Sequence, residues 1–143
     1  MKVFLDTDVI LDYLTDRHPF ADQSEKVFAL IEQRKIDGLT SVLTFSNLYY
    51  LIRQQSSHHK TMGMLKNLAE VLGILKTDEE IVRNALNSAF RDFEDALQYY
   101  SASGHRKIDV IITRNIRDYK DSLIPVMTPD TLVRTYKDAG KKS

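Results

Sequence analysis

The feature that most constrains this chain is a recurring unit: a short apolar run that meets polar residues, followed by a stretch with helical spacing. Five such runs are "KVFLD" from Lys2, "LTSVL" from Leu39, "ILK" from Ile74, "DVIITRN" from Asp109 and "IPVMTP" from Ile124. Each is short enough for a buried strand, and the segments between them carry apolar residues three and four apart, as one face of a helix requires. No Asn-Gly or Asp-Gly hairpin joins one run to the next. Strands separated by helical crossovers run parallel, with helices covering both faces. The expected fold is an α/β sandwich of three layers, α/β/α, around a central parallel sheet of four or five strands.

The helices are expected over "DVILDYLTDR", from Asp22 to Lys35, over "TFSNLYYLIRQQ", "KTMGMLKNLAEVL", "TDEEIVRNALNSA" and "FEDALQYYSASG", and from Asp130 to Asp138. Asp37-Gly38 reads as punctuation, Asn47 falls in the first turn of its helix, and residues 138–143 read as a frayed tail. With 143 residues, 43% of them hydrophobic, the chain suits one domain over 1–143. Twenty basic and twenty acidic residues cancel, so binding to a polyanion must use a local patch. The chain contains no cysteine, which excludes a disulfide framework and cysteine-ligated zinc. The N-terminal apolar run is too short for a secretory signal, and the longest uncharged stretch, "GLTSVLTFSNLYYLI", is laced with Thr, Ser and Asn. No membrane association is expected, and cytoplasm is the default location.

In parallel sheets of this kind, sites form beyond the C-terminal ends of the strands. Asp6 closes the first run, Asp118 follows the fourth, and Asn47 and Asp95 stand near helix starts that can face the same edge. Asp92 and Asp95 also have a purely structural reading, as the N-cap and N3 residues of a helix. Carboxylates gathered in one pocket raise each other's pKa unless a cation neutralises them. An all-oxygen donor set favours Mg²⁺ or Mn²⁺. Such cations serve phosphodiester hydrolysis by polarising the phosphoryl oxygen and acidifying water.

The segments "VFLDTDVILDYL", "SVLTFSNLYYLI", "DFEDALQYYSA" and "VIITRNIRDY" together resemble, in order and spacing, the PIN domain, the nuclease fold of VapC-type toxins. The resemblance spans essentially the whole chain and implies a metal-dependent endoribonuclease, with RNA as substrate, an antitoxin protein as partner and a homodimeric assembly. It implies that Asp6, Asp95 and Asp118 are the catalytic, metal-holding acids, that Thr113 and Asn115 frame the pocket, and that Tyr119 fills the family's aromatic place. Asn47 departs from the family's second acid, usually a glutamate. An amide there removes one charge but keeps an oxygen, and Asp92 is placed to compensate from one turn before Asp95. A bacterial subset with "DFED" in the third segment is similar.

Other readings stay open at this point. The Asp-x-Asp of "FLDTDVIL" could supply the nucleophile and acid of a haloacid-dehalogenase-like phosphatase, although Ile10 departs from that motif. A non-catalytic RNA- or protein-binding module on the same scaffold would account for Asn47. Asp8 reads as a helix cap or a loop anchor. Arg91, Arg114 and Arg117 are among the candidate phosphate contacts, with Arg114 best placed beside the pocket. The neighbouring His58 and His59 do not share a helix face and read as part of a solvated connection, "QQSSHHK". Tyr49, Tyr50, Tyr99 and Tyr100 read as core or interface residues rather than base-stacking platforms.

Overall fold

The computed structural model describes residues 1–104 and 106–141, the last four by their backbone alone. Five strands, β1 (Lys2–Leu5), β2 (Asp37–Ser41), β3 (Gly73–Leu75), β4 (Val110–Ile112) and β5 (Val126–Met127), form one sheet. All pairings are parallel and the order is β3-β2-β1-β4-β5. Helices α1 (Thr7–Leu14), α2 (Ala21–Glu32), α3 (Val42–Arg53), α4 (His58–Val71), α5 (Glu79–Leu86), α6 (Phe93–Gly104) and α7 (Pro129–Lys141) make the crossovers, and a 3-10 turn spans Ile116–Tyr119.

The strands are apolar on both sides because both faces are covered. Val3 and Leu5 of β1, with Val110 and Ile112 of β4, pack into a core with Val9, Ile10, Val27, Phe28, Leu48 and Leu132 of the helices. Phe4 and Ile111, one residue out of phase, point the other way, toward Tyr99, Ala102 and Tyr119. This period of two yields the three layers. Burying a side chain such as Phe4 or Leu5, both fully inaccessible, stabilises the fold by about 1.5 to 3 kcal/mol each.

Several boundaries differ from the sequence reading. β2 begins at Asp37, so Asp37-Gly38 is strand rather than punctuation, and Gly38 pairs with Val3. A Cβ on Gly38 would stand 2.6 Å from Ile31 and 2.7 Å from Leu72, so the bare backbone lets α2 and the end of α4 close on the sheet. The strand stops at Ser41 because that side chain caps α3, accepting from the Thr44 amide at 3.2 Å. Helix α3 therefore starts at Val42, and Asn47 lies in its second turn rather than its first. Ser57 likewise caps α4 through the Lys60 amide, so His58 and His59 open a helix, and the His58 ring shares a hydrogen bond with the Tyr49 hydroxyl. Helix α7 runs on to Lys141, past the expected end at Asp138, while the last two residues of the expected tail lie outside the described residues.

The chain leaves β1 toward β2 and β3, then crosses to the opposite side of β1 for β4 and β5. The crevice beyond the ends of β1 and β4 is therefore the topological switch point, where ligand sites of open α/β sheets form. Ladder bonds continue past both strands: the Asp6 amide donates to Ile112 and the Thr113 amide to Met127, each at 3.0 Å. That pairing anchors the backbone at the crevice.

Candidate active site

Asp6 leaves β1 as the N-cap of α1, one carboxylate oxygen accepting from the Thr7 amide at 2.8 Å and the other from the Thr113 hydroxyl at 2.9 Å. This capping position aims the carboxylate into the crevice. Burial first, then the charge of Asp8, pushes the Asp6 carboxyl up to about 7. Asp8 anchors the loop after β4: one of its oxygens accepts from the Arg114 amide at 3.1 Å and, more weakly, from the Asn115 side chain at 3.4 Å. Its other oxygen is buried without a partner among the described residues.

Asp95 enters from α6. Asp92 caps that helix, accepting from the Asp95 amide at 3.0 Å. Capping leaves the Asp95 carboxylate free to face the crevice, where burial, followed by Asp92, Asp6, Asp118 and Glu94, raises it to about 7. Acids 89 and 112 positions apart, from Asp6 to Asp95 and Asp118, are thus brought within electrostatic reach. Asp118, in the 3-10 turn, is exposed and shares a cavity of about 420 Å³ with Asp92, Asp95, Asp121, Arg91, Arg117 and Lys120. Tyr119 closes the crevice from below: its hydroxyl is buried beside Asp6, and burial with the field of Asp6 drives its pKa upward.

Asn47 donates from its side-chain amide to Glu94 at 2.7 Å. Helix α6 thereby holds a carboxylate beside the place where α3 carries an amide. Asn115 and Thr113 both lie in the loop that frames the crevice, the Asn115 amide donating to the Thr113 hydroxyl at 3.1 Å. Arg114 is placed differently from expectation. Its guanidinium is committed to Asp12, with Nε 2.7 Å from one oxygen, and lies 3.9 Å over the Phe20 ring. Asp12 is wholly buried, and such a charge requires a partner. Arg114 is consequently not a free phosphate contact, and Arg91, Arg117 and Lys120 are the cations at the acidic cavity.

Sequence reasoning did not find the knot beneath the acids. The Gln98 side chain, one turn after Asp95, is hydrogen-bonded to Ser41 at 2.5 Å and donates to Thr44 at 2.7 Å and Thr7 at 3.3 Å. All four residues are buried. The knot ties α6, the end of β2, and the starts of α3 and α1 into one unit. Its signal was Gln98 in register with Asp95, Tyr99 and Ala102, on the buried stripe of the helix.

Among the described residues, no three histidine or acidic side chains stand together closely enough to hold a metal ion between them. The arrangement is an open acidic crevice. Mg²⁺-type cations fit such a donor set, because they use one or two carboxylates and keep waters for the remaining positions.

A parallel α/β sandwich whose switch point gathers acids from the end of β1, from α6 and from the turn after β4 is an open-sheet α/β protein with an acidic crevice at its sheet edge. Residues 2–117 match the family model described as PIN domain, and the chain belongs to that family. It is 26% identical over 134 residues to "Ribonuclease VapC1" of Aquifex aeolicus (strain VF5), covering 90% of this chain and 91% of that protein. Among solved structures it is similar to VapBC2 from Rickettsia felis bound to a DNA fragment from their promoter, with TM-score 0.63, 13% identity, and coverage of 90% and 98% of the two chains. It is also similar to a toxin-antitoxin complex from Klebsiella pneumoniae, with TM-score 0.66, 18% identity, and coverage of 89% and 97%. The haloacid-dehalogenase reading loses its basis, since Asp8 anchors a loop and the family is a different one.

Proposed function

We propose that this protein is a divalent-metal-dependent endoribonuclease of VapC type, hydrolysing RNA phosphodiester bonds. The observation that carries the reading is the convergence of Asp6, Asp95 and Asp118 from three separate parts of the chain, with the charges of Asp6 and Asp118 adding to the burial that pushes the Asp95 carboxyl up to about 7. Like charges are concentrated in this way where a cation is to be received. The name of the Aquifex aeolicus relative supports RNA as the substrate class.

Asp6, Asp95 and Asp118 would hold the cation, Mg²⁺ or Mn²⁺. When bound, it supplies Lewis-acid polarisation of the phosphoryl group and acidification of water. The protein's own residues do the rest. Thr113 holds Asp6 at a fixed angle, Asp92 orients Asp95 by capping α6, and Asn47 steadies Glu94 at the rim. Arg91, Arg117 and Lys120 draw the RNA backbone toward an otherwise acidic opening.

The toxin-antitoxin assemblies among similar structures support an antitoxin partner, and the family resemblance supports a homodimer. Among the described residues, no helix is long and apolar enough to cross a membrane. A cytoplasmic location suits an RNA substrate.

The test is incubation of the purified protein with a mixed, end-labelled RNA pool in EDTA, Mg²⁺ and Mn²⁺, beside Asp95→Asn. Cleavage that requires the cation and is abolished in the folded variant is the expected result. Wild-type cleavage by Asp95→Asn would refute the assignment.

A further inference from the structure

A second cavity lies on the other side of the loop that carries Thr113 to Asp118. It encloses about 270 Å³ and is lined by Phe20, Gln23, Ser24, Arg114, Asn115 and Thr128, among others. Its chemistry is unlike that of the acidic crevice. There, three cations and four carboxylates face one chamber. Here the Arg114 charge is neutralised by Asp12, and Asp130 at the rim places a negative charge where an anion would enter. A phosphate finds no free cation among the described residues lining this cavity.

What the cavity does offer suits an uncharged planar heterocycle. Phe20 is 40% exposed, so part of its ring is open to an incoming ligand. The guanidinium beside it is held flat by Asp12 and lies against the Phe20 ring, a rigid plate of the kind on which bases stack. The Ser24 hydroxyl is wholly buried at this cavity and has no hydrogen-bond partner among the described residues. Gln23, Asn115 and Thr128 add adaptable donors and acceptors. The position is also right. Arg114 directly follows Thr113, which bonds Asp6, so the plate begins one residue from the acidic crevice.

We propose that this cavity receives an unpaired nucleobase adjoining the scissile phosphate, stacked against the Phe20 and Arg114 plate and contacted at its edge by Gln23 and Ser24. The inference rests on the nuclease reading above and adds a source of sequence preference to it. The acidic crevice handles charge, and the neutral cavity handles the base.

The test separates stacking from cleavage. Single-stranded RNA carrying 2-aminopurine at successive positions is titrated with the full-length protein in EDTA, where quenching reports stacking. The same RNAs, with and without an abasic site at the quenched position, are then cleaved in Mg²⁺ and Mn²⁺. Wild type should quench one position. The abasic site should lower kcat/KM about tenfold, mainly through KM, as loss of one base stack implies. Phe20→Ala should lose the quenching and become indifferent to the abasic site, Phe20→Tyr should restore both, and Gln23→Ala should alter which base is preferred. Quenching without cleavage would keep the pocket and sink the nuclease assignment. Cleavage without quenching at any position would overturn the pocket. So would a Phe20→Ala protein, folded by circular dichroism, that still quenches, or one that loses only binding to a protein partner.

Discussion

The Asn47 side-chain amide and the Glu94 carboxylate meet at 2.7 Å, joining α3 to α6 within electrostatic reach of Asp95. An acid at position 47 would face Glu94 as a like charge, whereas the amide donates to it. The missing carboxylate on α3 is therefore paired with a carboxylate on α6, and the two residues should act as one unit. Asn47→Ala is expected to weaken divalent-metal affinity about tenfold, the usual effect of losing a supporting hydrogen bond at a metal site. A double-mutant cycle with Glu94→Ala, read by calorimetric titration of Mn²⁺, should be non-additive. Strict additivity would mean that the pair does not act on the site.

Asp6 and Asp95 define a second expectation, in pH. Both carboxyls stand at about 7 in the folded protein against 3.8 as the ordinary value. Below about pH 4 both folded and unfolded chains are protonated, so these groups contribute no slope there. Between about pH 4 and 7 the folded state keeps protons that the unfolded state has released. Stability in EDTA should therefore fall as pH rises through that window. Thermal melts across it should show the decline, Asp6→Asn should flatten it, and saturating Mg²⁺ or Mn²⁺ should oppose it. A melting temperature that rises from pH 4 to 7 in EDTA, with the Asp6→Asn slope unchanged, would contradict the electrostatic account of the crevice.

Gln98 carries the third. Gln98→Ala would leave the buried hydroxyls of Ser41 and Thr44 without their main partner and open space between α6 and β2. The expected loss is about 2 to 4 kcal/mol in urea denaturation, from unsatisfied buried polar groups together with a cavity. Gln98→Met, similar in length but without the amide, should recover packing and leave the polar penalty. A Gln98→Ala protein as stable as wild type would show that the knot adds little to the join between α6 and β2.

How much of this was legible in the sequence depends on whether a residue's neighbours are local. Asp6 could be placed because it closes an apolar run, and in parallel sheets that position has a meaning independent of the rest of the chain. Asp92 capping Asp95 was legible for the same reason, since a helix start is written within four residues. β2 was shifted because Gly38 serves a tertiary contact with Ile31 and Leu72 that no local propensity encodes. The Gln98 knot and the Asn47 to Glu94 bond join residues more than forty positions apart. Arg114 was assigned the wrong neighbour because an arginine beside an acidic pocket invites a phosphate reading. The counter-signal was Asp12 in "ILDYL", an acid flanked by apolar residues on a helix and therefore bound to require a buried partner.

That partner gives the last prediction. Arg114→Gln leaves the buried Asp12 carboxylate with Arg17 alone, 3.8 Å away on a half-exposed side chain. Removing one member of a buried ion pair costs about 3 to 5 kcal/mol, because the remaining charge has lost its compensation. Arg17 should hold the loss near the lower end, about 3 kcal/mol in urea denaturation. The double variant Asp12→Asn with Arg114→Gln removes the stranded charge and should regain most of that stability. Both measurements are made without RNA, so they separate the ion pair from any contact with substrate. If Arg114→Gln were as stable as wild type, the guanidinium would be free to leave Asp12, and its assignment as a fixed plate beside Phe20 would have to be withdrawn.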